Sequence, residues 1–185
     1  DVYKRQPSNI AGTLEHKKGN IEEGFKVADV IIEKEFETAA VHQGYLETHA
    51  CLVSVSPDNR TTIWSSSQGQ FMVRAMTSFI TGIPQSSIRA IPAEIGGGFG
   101  GQTIVYLEPV ATILSKKSGR PVKMVMTRDE VMRASGPTSG SKSKVKIGAK
   151  NNGKITAAQG TFYLQAGAFP GAPIRGAAGC CLEPY

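Results

Sequence analysis

Apolar residues recur along the chain at two spacings, and each spacing predicts a different kind of element. Over residues 70–80 and 103–117 they repeat every three to four positions, which predicts two longer helices that end at Gly82 and Gly119. Elsewhere the apolar residues are β-branched or alternate with polar ones, as strands require. Strands are expected over residues 30–36, 49–56, 61–67, 88–95, 121–127, 142–150 and 154–165, with a short helix over residues 128–133.

Turn-forming residues join two pairs of these strands into hairpins. The sequence Pro-Asp-Asn-Arg at residues 57–60 connects the first pair. Asn151-Asn152-Gly153 connects the second pair, because Asn and Gly tolerate the positive φ angles of a tight hairpin turn. Together with the helices, these patterns predict an α+β fold that contains a mixed sheet, β-hairpins and two longer helices.

The polar start of the chain suggests a domain boundary. Residues 7–20 are rich in Asn, Gly and Lys, which is typical of a linker, and the chain lacks an initiator Met. Residues 1–18 are therefore interpreted as an assembly scar followed by the tail of a preceding domain or a linker. Residues 19–185 are interpreted as the N-terminal part of one domain, truncated at its C-terminus, because residues 166–185 are loop-like and end without a closing element.

Composition and charge limit the classes of partner. The chain is 40% hydrophobic and 19% charged, as soluble globular proteins are, and no apolar stretch is long enough to span a membrane. The net charge is +6, but the lysines are dispersed, and those between residues 142 and 146 alternate with other residues as one solvated face of a strand would. This pattern argues against a nucleic-acid partner.

Cysteine and histidine usage indicates no metal ligand set in this chain. The three cysteines are Cys51, Cys180 and Cys181, and none forms a C-x-x-C pair, so neither an iron–sulfur cluster nor a structural zinc site is predicted here. The three histidines are scattered, and structural roles are expected for them. This cysteine content suits a reducing compartment, and a cytoplasmic location is expected.

The glycine-rich segment at residues 96–101, Gly-Gly-Gly-Phe-Gly-Gly, carries the most chemical information. Between a strand and a helix, such a loop can point backbone N–H groups at an anionic or oxo ligand, and Phe99 would suit a planar or apolar one. A tight turn without a ligand is a second interpretation. A third is the dinucleotide fingerprint G-x-G-x-x-G, which Gly96, Gly98 and Gly101 satisfy. That fingerprint requires an acidic residue about 20 residues further on, where this chain has Arg120 and Pro121.

The segment Glu-Ile-Gly-Gly-Gly-Phe-Gly-Gly at residues 94–101 resembles the GGGFGG signature of the large subunits of molybdenum hydroxylases, the xanthine dehydrogenase, aldehyde oxidase and carbon monoxide dehydrogenase family. Other segments resemble this family in the same order along the chain, so the combination is more specific than any one motif. They are residues 19–30, the Tyr-Leu-Glu-Thr-His-Ala sequence at 45–50, the Trp-Ser-Ser-Ser-Gln sequence at 64–68, the Gly-Arg-Pro-Val-Lys sequence at 119–123 and the Thr-Arg-Asp-Glu sequence at 127–130.

The resemblance implies a role for individual residues. Gln68 matches the catalytic-site Gln whose side-chain amide donates to an oxo ligand on molybdenum. Phe99 and Gly100 match the loop pair beside the metal and the pterin, and Gly97, Gly98 and Gly101 complete the cofactor-binding loop. The implied cofactor is a molybdopterin, or its cytosine dinucleotide form, with no protein side chain on the metal.

The resemblance also implies a reaction and partners. The parent enzyme would be an oxidoreductase that hydroxylates an aldehyde or an N-heterocycle with oxygen from water. An iron–sulfur small subunit and an FAD-binding medium subunit would carry electrons away. The catalytic Glu base of the family would lie beyond Tyr185, so this chain alone is expected to be inactive.

Three positions depart from the family pattern, and three alternative interpretations are open. Gln102 and Thr103 stand where the family often has Lys and, in some members, a substrate-contacting Glu, which argues mildly against xanthine as the substrate, and Thr48 stands where Pro is common. Gln68 could instead cap the following helix. The chain as a whole could be a nucleotide-binding module, or a relative of the large subunits that binds no cofactor.

Overall fold

The computed structural model describes residues 9–10 and 12–165. Cys180, Cys181 and the loop expected over residues 166–185 lie outside the described residues. The chain divides into two compact units, one formed by residues 1–41 and 139–185 and the other by residues 42–138. In chain order the elements are α1 (Ile21–Lys26), β1 (Val30–Thr38), β2 (Ala50–Val55), β3 (Thr61–Ser65), α2 (Gln70–Thr81), β4 (Ile88–Pro92), α3 (Glu108–Ser118), β5 (Val122–Val125), α4 (Arg128–Ala134), β6 (Ser141–Ala149) and β7 (Ile155–Leu164).

The first unit contains an antiparallel sheet with the strand order β1-β6-β7. On one face of this sheet, acidic residues of β1 lie opposite basic residues of β6, and the Lys144 ammonium pairs with the Glu33 carboxylate at 2.9 Å. The lysines that the sequence analysis placed on a solvated strand face therefore lie on such a face, neutralised by carboxylates. These pairs are solvent-exposed, so they contribute little to stability.

The second unit contains a mixed sheet with the strand order β4-β3-β2-β5, in which only β3 and β4 run parallel. Helices α2 and α3 pack on this sheet, and the core between them is formed by fully buried apolar side chains, with Val53 and Ile63 from the strands and Val73 and Ala111 from the helices. The predicted α+β class, the mixed sheet, both hairpins and both longer helices are confirmed.

The start of the second long helix was predicted wrongly. The apolar spacing suggested a helix from residue 103, but α3 begins at Glu108 after the N-cap Leu107. A helix from residue 103 would place Pro109 in its interior, where Pro lacks the N–H that the helix needs and clashes with the preceding turn. Pro is accepted only in the first turn, which is where α3 places it.

Helix α1 was not predicted. It has only six residues, too few for a helical period to emerge from the sequence. Its N-terminus is stabilised by the Asn20 side chain, which accepts a hydrogen bond from the backbone N–H of Glu23. No helix in the described part of the chain is both long enough and apolar enough to cross a membrane.

Candidate functional site

The glycine-rich segment forms a tight turn after β4. The carbonyl of Gly98 accepts a hydrogen bond from the N–H of Gly101 at 2.7 Å, and the two residues between them, Phe99 and Gly100, have φ angles of 49° and 85°. Positive φ at both central positions is the signature of a mirror-image turn, which Gly adopts freely and Phe does not. The Phe99 ring folds over Gly97 yet remains 69% exposed. The turn thus presents an aromatic side chain outward in an unfavourable backbone conformation.

Gln68 follows β3 and lies directly against this turn. Its side-chain Oε1 accepts hydrogen bonds from the backbone N–H groups of Gly100 at 3.0 Å and Gln102 at 3.2 Å. Its own backbone N–H donates to the carbonyl of Gln102 at 2.9 Å. Because backbone N–H groups only donate, the atom that faces them must be the amide oxygen, so the –NH₂ group of Gln68 faces away from the loop.

Helix capping does not account for Gln68. The N-cap of α2 is Gly69, and no side chain makes a capping hydrogen bond there. The glutamine that reaches back to the end of β3 is Gln70, whose Nε2 donates to the carbonyls of Ser65 and Ser67 at 3.3 Å each. The structure therefore brings Gln68 and the glycine loop together through the side chain of Gln68.

Several glycines of the loop are required by close contacts. A Cβ atom on Gly98 would lie 2.3 Å from the Gln68 Oε1, and one on Gly101 would lie 2.8 Å from the Cε1 of Tyr45. Real Cβ atoms do not approach other atoms this closely, so any other residue would displace the loop or its neighbours. The loop is therefore in close contact with Gln68 at Gly98 and with Tyr45 at Gly101.

The loop uses part of its backbone donors internally. The N–H groups of Gly100, Gly101 and Gln102 bind Gln68 or Gly98. Among the described residues, the N–H groups of Gly97, Gly98 and Phe99 have no hydrogen-bond partner. These three N–H groups and the Gln68 –NH₂ group are the donors of the site that make no hydrogen bond within the described residues.

The two positions that depart from the family pattern have different environments. The Gln102 side chain is 1% exposed, with its Nε2 at 3.5 Å from the Glu47 carbonyl, so it lies beneath the loop. The Thr103 side chain is exposed and donates to the carbonyl of Gly100 at 3.1 Å. Of the two, Thr103 is the one at the surface of the turn.

A buried polar network that was not predicted from the sequence lies beneath the loop. The Tyr45 hydroxyl is 2.7 Å from the His49 Nε2 and 3.2 Å from the Ser135 Oγ, and the Ser135 Oγ is 2.9 Å from the His42 Nε2. His42 and His49 were expected to be structural, and both lie in this network. Ser135 lies about 90 residues from Tyr45, so no sequence motif could have linked them.

Burial affects the protonation of one member of this network, His49. Desolvation lowers the pKa of His49 below its usual value, and the charge of Glu108 partly opposes that change while His42 adds to it. Glu108 itself is buried and accepts hydrogen bonds from the Ser65 hydroxyl and, at 3.0 Å, from the Tyr106 N–H. One sequence signal could have marked Glu108, since an acidic residue just before a proline is typical of the first turn of a helix.

One sequence interpretation, the dinucleotide fingerprint, fails against this geometry. The dinucleotide fingerprint requires a helix that opens on the loop itself, whereas α3 begins seven positions after Gly101, at Glu108. Residues 12–165 and 9–10 contain no group of three or more His, Cys, Asp or Glu side chains placed to hold a metal ion. The candidate site is therefore a backbone loop, one amide and one aromatic ring.

Comparison with known proteins identifies the family. A family model described as "Molybdopterin cofactor-binding domain" matches residues 2–185. The chain belongs to the molybdopterin cofactor-binding domain family. It is 33% identical over 168 residues to the "Probable hypoxanthine oxidase XdhD" of Escherichia coli K12, covering 91% of this chain and 18% of that protein. It is 34% identical over 157 residues to the mouse "Aldehyde oxidase 3", covering 83% of this chain and 12% of that protein.

Solved structures show that the fold is shared with other members of this family. The CO dehydrogenase of Oligotropha carboxidovorans superimposes with a TM-score of 0.58 at 30% identity, over 77% of this chain and 18% of that chain. The aldehyde oxidoreductase of Desulfovibrio gigas gives a TM-score of 0.65 at 22% identity, over 80% of this chain and 16% of that chain. The chain thus spans less than one fifth of the length of each of these relatives.

Proposed function

We propose that this chain forms one wall of a molybdopterin site in a molybdenum-dependent hydroxylase that acts on an aldehyde or an N-heterocycle. The observation that carries the proposal is the orientation of Gln68. Its amide oxygen is held by the Gly100 and Gln102 N–H groups, so its –NH₂ group is left to donate outward. The relatives named as hypoxanthine and aldehyde oxidases support the substrate classes.

The groups at the site fit such a cofactor. A molybdenum atom bound to molybdopterin combines a fused pterin ring system, a phosphate and oxo oxygens on the metal, and it needs hydrogen-bond donors and an apolar surface. The unpartnered N–H groups of Gly97, Gly98 and Phe99 supply donors, and the exposed Phe99 ring supplies the apolar surface. The close contacts at Gly98 and Gly101 hold these groups in fixed positions before any ligand arrives.

Each residue has a definable task. When bound, the cofactor would supply a two-electron oxidation in which the incoming oxygen comes from water. Gln68 would donate a hydrogen bond from its –NH₂ group to an oxygen of the cofactor and so stabilise negative charge there. Phe99 would exclude water from one side of the site. The catalytic role of Gln68 and the binding roles of Gly97, Gly98, Phe99, Gly100 and Gly101 are part of this proposal.

The proposal extends to the rest of the enzyme. The cofactor would be molybdopterin, with the cytosine dinucleotide as its possible extended form, and the catalytic base would be contributed by residues other than those of this site. An iron–sulfur small subunit and an FAD-binding medium subunit would pass electrons onward in the cytoplasm, with neither nucleic acid nor a membrane as a partner. The division into residues 1–18 and a domain at residues 19–185 stays a prediction.

The test is to purify the full-length protein, expressed from its native gene with its neighbouring subunits. We expect close to one molybdenum and one pterin per chain, and turnover of an aldehyde or an N-heterocycle with an artificial electron acceptor. A folded protein that contains neither molybdenum nor pterin would instead support the alternative of a relative without a cofactor. Label from ¹⁸O-water should appear in the product if the oxygen comes from water.

A further inference from the structure

The segment that carries Tyr45 contacts the glycine loop at both of its ends. The backbone N–H of Leu46 donates to the carbonyl of Gly96 at 3.1 Å, which fixes the start of the loop. Under the end of the loop, a Cβ on Gly101 would lie 2.8 Å from the Tyr45 Cε1 and 2.9 Å from the Gln43 Cδ. The position of Gly101 is therefore restricted by the side chains of Tyr45 and Gln43.

The hydroxyl of Tyr45 is held by a hydrogen-bond chain whose direction can be deduced. The N–H of Gly44 donates to the His42 Nδ1 at 3.0 Å, so the neutral His42 ring carries its hydrogen on Nε2 and donates to the Ser135 Oγ. Ser135 in turn donates to the carbonyl of Val131 at 2.6 Å. Ser135 can then only accept from Tyr45, and the Tyr45 oxygen must accept from the Nε2–H of His49.

Each polar hydrogen of this hydrogen-bond network is thus donated once, and the Tyr45 hydroxyl is the central member of the network. It is tied to His49, just before β2, and to Ser135, the C-cap of α4. Tyr45 is 1% exposed and His49 is 6% exposed, so water cannot replace these partners. Tyr45 is therefore held both at its ring, which contacts Gly101, and at its hydroxyl, which is hydrogen-bonded to His49 and Ser135.

We propose that Tyr45 is a positioning residue that sets the glycine loop, and through it the direction of the Gln68 –NH₂ group. Tyr45 fixes Gly101, and the two N–H groups that hold the Gln68 oxygen belong to the flanking residues, Gly100 and Gln102. Movement of Gly101 would move both donors. A small displacement of a catalytic group is enough to lower the rate of a reaction without preventing binding.

The experiment compares Tyr45→Phe with a matched control, Ser115→Ala, in the full-length protein. Tyr45→Phe keeps the ring and removes both hydrogen bonds of the hydroxyl. Ser115 is also fully buried in the same unit, and its hydroxyl also makes two hydrogen bonds, accepting from Val55 at 3.0 Å and donating to Arg120 at 2.8 Å. These lie at the end of β2 away from the glycine loop.

The first measurement is hydrogen exchange of the peptide that covers residues 96–103, in protein prepared without molybdenum. The N–H groups of Gly100, Gly101 and Gln102 are internally bonded and exchange only when the loop opens. We expect Tyr45→Phe to speed their exchange by about fivefold or more, since a buried hydrogen bond typically contributes about that factor to an equilibrium. Ser115→Ala should leave this peptide unchanged.

The second measurement is made on the molybdenum-loaded protein, and only this part rests on the proposed function. We expect Tyr45→Phe to retain molybdenum, to lower kcat per molybdenum by about 5- to 10-fold and to leave KM nearly unchanged. The electron paramagnetic resonance signal of the partly reduced metal should also shift. Ser115→Ala should show wild-type values for all four quantities. If the wild-type protein is purified with its neighbouring subunits and contains no molybdenum, the proposed function is wrong. The hydrogen-exchange result would still test the positioning role of Tyr45.

The outcome that overturns the positioning role is specific. The positioning role is wrong if the hydrogen-exchange rate of residues 96–103 is the same in Tyr45→Phe, Ser115→Ala and wild type, whatever the turnover. If Tyr45→Phe does not fold, Ser135→Ala replaces it, because that change leaves the Tyr45 side chain in place and removes one of its two partners. The expected changes then have the same direction and a smaller size, and their absence overturns the proposal equally.

Discussion

The side-chain oxygen of Gln68 accepts a hydrogen bond from the backbone N–H of Gly100 at 3.0 Å, across 32 residues of sequence. This bond determines which end of the amide points outward, because the N–H group of Gly100 can only donate. The outward –NH₂ group is the feature of this site that a cofactor oxygen could use. The consequences can be tested by removing the donor of the Gln68 amide alone and then the whole amide.

Gln68→Glu keeps an oxygen that can accept from Gly100 and Gln102 but removes the –NH₂ donor, whereas Gln68→Ala removes both. In the full-length protein we expect both variants to retain molybdenum and to lose turnover per molybdenum by about 10- to 150-fold, since a hydrogen bond to a charged acceptor contributes about 1.5–3 kcal/mol. Only Gln68→Ala should also loosen the loop, seen as faster hydrogen exchange over residues 96–103.

Gln70→Ala is the matched control, because the Gln70 amide also bonds the backbone but does so at the end of β3 and not at the loop. It should leave turnover per molybdenum at the wild-type value. A Gln68→Glu enzyme that turns over at the wild-type rate would show that the outward donor has no catalytic role.

Elements that depend on local residue order could be predicted from the sequence. Helix α2 was predicted over 70–80 and spans Gln70–Thr81, because its apolar period is undisturbed and Gly82 adopts the left-handed conformation that ends it. The hairpin at Asn151-Asn152-Gly153 formed for the same local reason, with Gly153 at φ 87°. Gln68 and the glycine loop could be paired in advance because the family resemblance linked two segments that chain order alone does not.

Features that depend on contacts between distant segments could not be predicted. The support of Gly101 by Tyr45 and the bond between Tyr45 and Ser135 join residues with no common motif. The division of the chain into two units follows from the pairing of β1 with β6, strands separated by more than 100 residues. Apolar spacing also could not register that Pro109 limits where α3 begins.

The contact between Gly98 and Gln68 leads to a second prediction. A Cβ on Gly98 would lie 2.3 Å from the Gln68 Oε1 and 2.4 Å from its Cδ, so Gly98→Ala must push the Gln68 amide away. We expect turnover per molybdenum to fall at least as far as in Gln68→Glu. Gly136→Ala is the control, because nothing lies within 4 Å of a Cβ there and it should behave as wild type. A Gly98→Ala enzyme with wild-type turnover would contradict this contact.

Cys51 provides a third prediction, on the core rather than the site. Burial in β2, together with the charge of Glu108, raises the pKa of its thiol to about 12, against 9.0 for an unperturbed thiol, while a backbone hydrogen bond from Met124 acts in the opposite direction. At about pH 8 its thiolate fraction, and with it the rate of alkylation, should be roughly a thousandfold lower in the folded chain than in urea. Mass spectrometry of the peptide containing Cys51 after iodoacetamide treatment measures this ratio. A ratio near one would mean that β2 is open in the native state.

The fourth prediction concerns pH and the buried network beneath the loop. The groups that face His49 are Glu108, His42, Tyr45 and Tyr106, whose ring centroid lies 4.3 Å from that of His49. The neutral His49 ring already satisfies the network, since its Nε2–H donates to the Tyr45 oxygen. A second proton would therefore add a charge to a side chain that is only 6% exposed, without completing any bond in the network.

His49 should therefore make the folded chain less stable as the solution becomes acidic. Its pKa in the folded state is lowered from 6.5 mainly by desolvation, so below that pH the unfolded chain binds more protons than the folded one. Its stabilising contribution is complete above pH 6.5 and is lost as the pH falls through the lower folded pKa, at a rate of at most about 1.4 kcal/mol per pH unit.

Urea unfolding of the chain at about pH 7.5 and about pH 5.5, followed by the fluorescence of the single tryptophan, Trp64, measures the loss. The side chain of His49→Gln can still donate to Tyr45 but cannot titrate. Its free energy of unfolding should therefore change much less between these two pH values than that of the wild type. The control is His16→Gln at an exposed position, which should behave as the wild type does. Equal pH dependence in wild type and His49→Gln would show that the buried ring is not the group responsible.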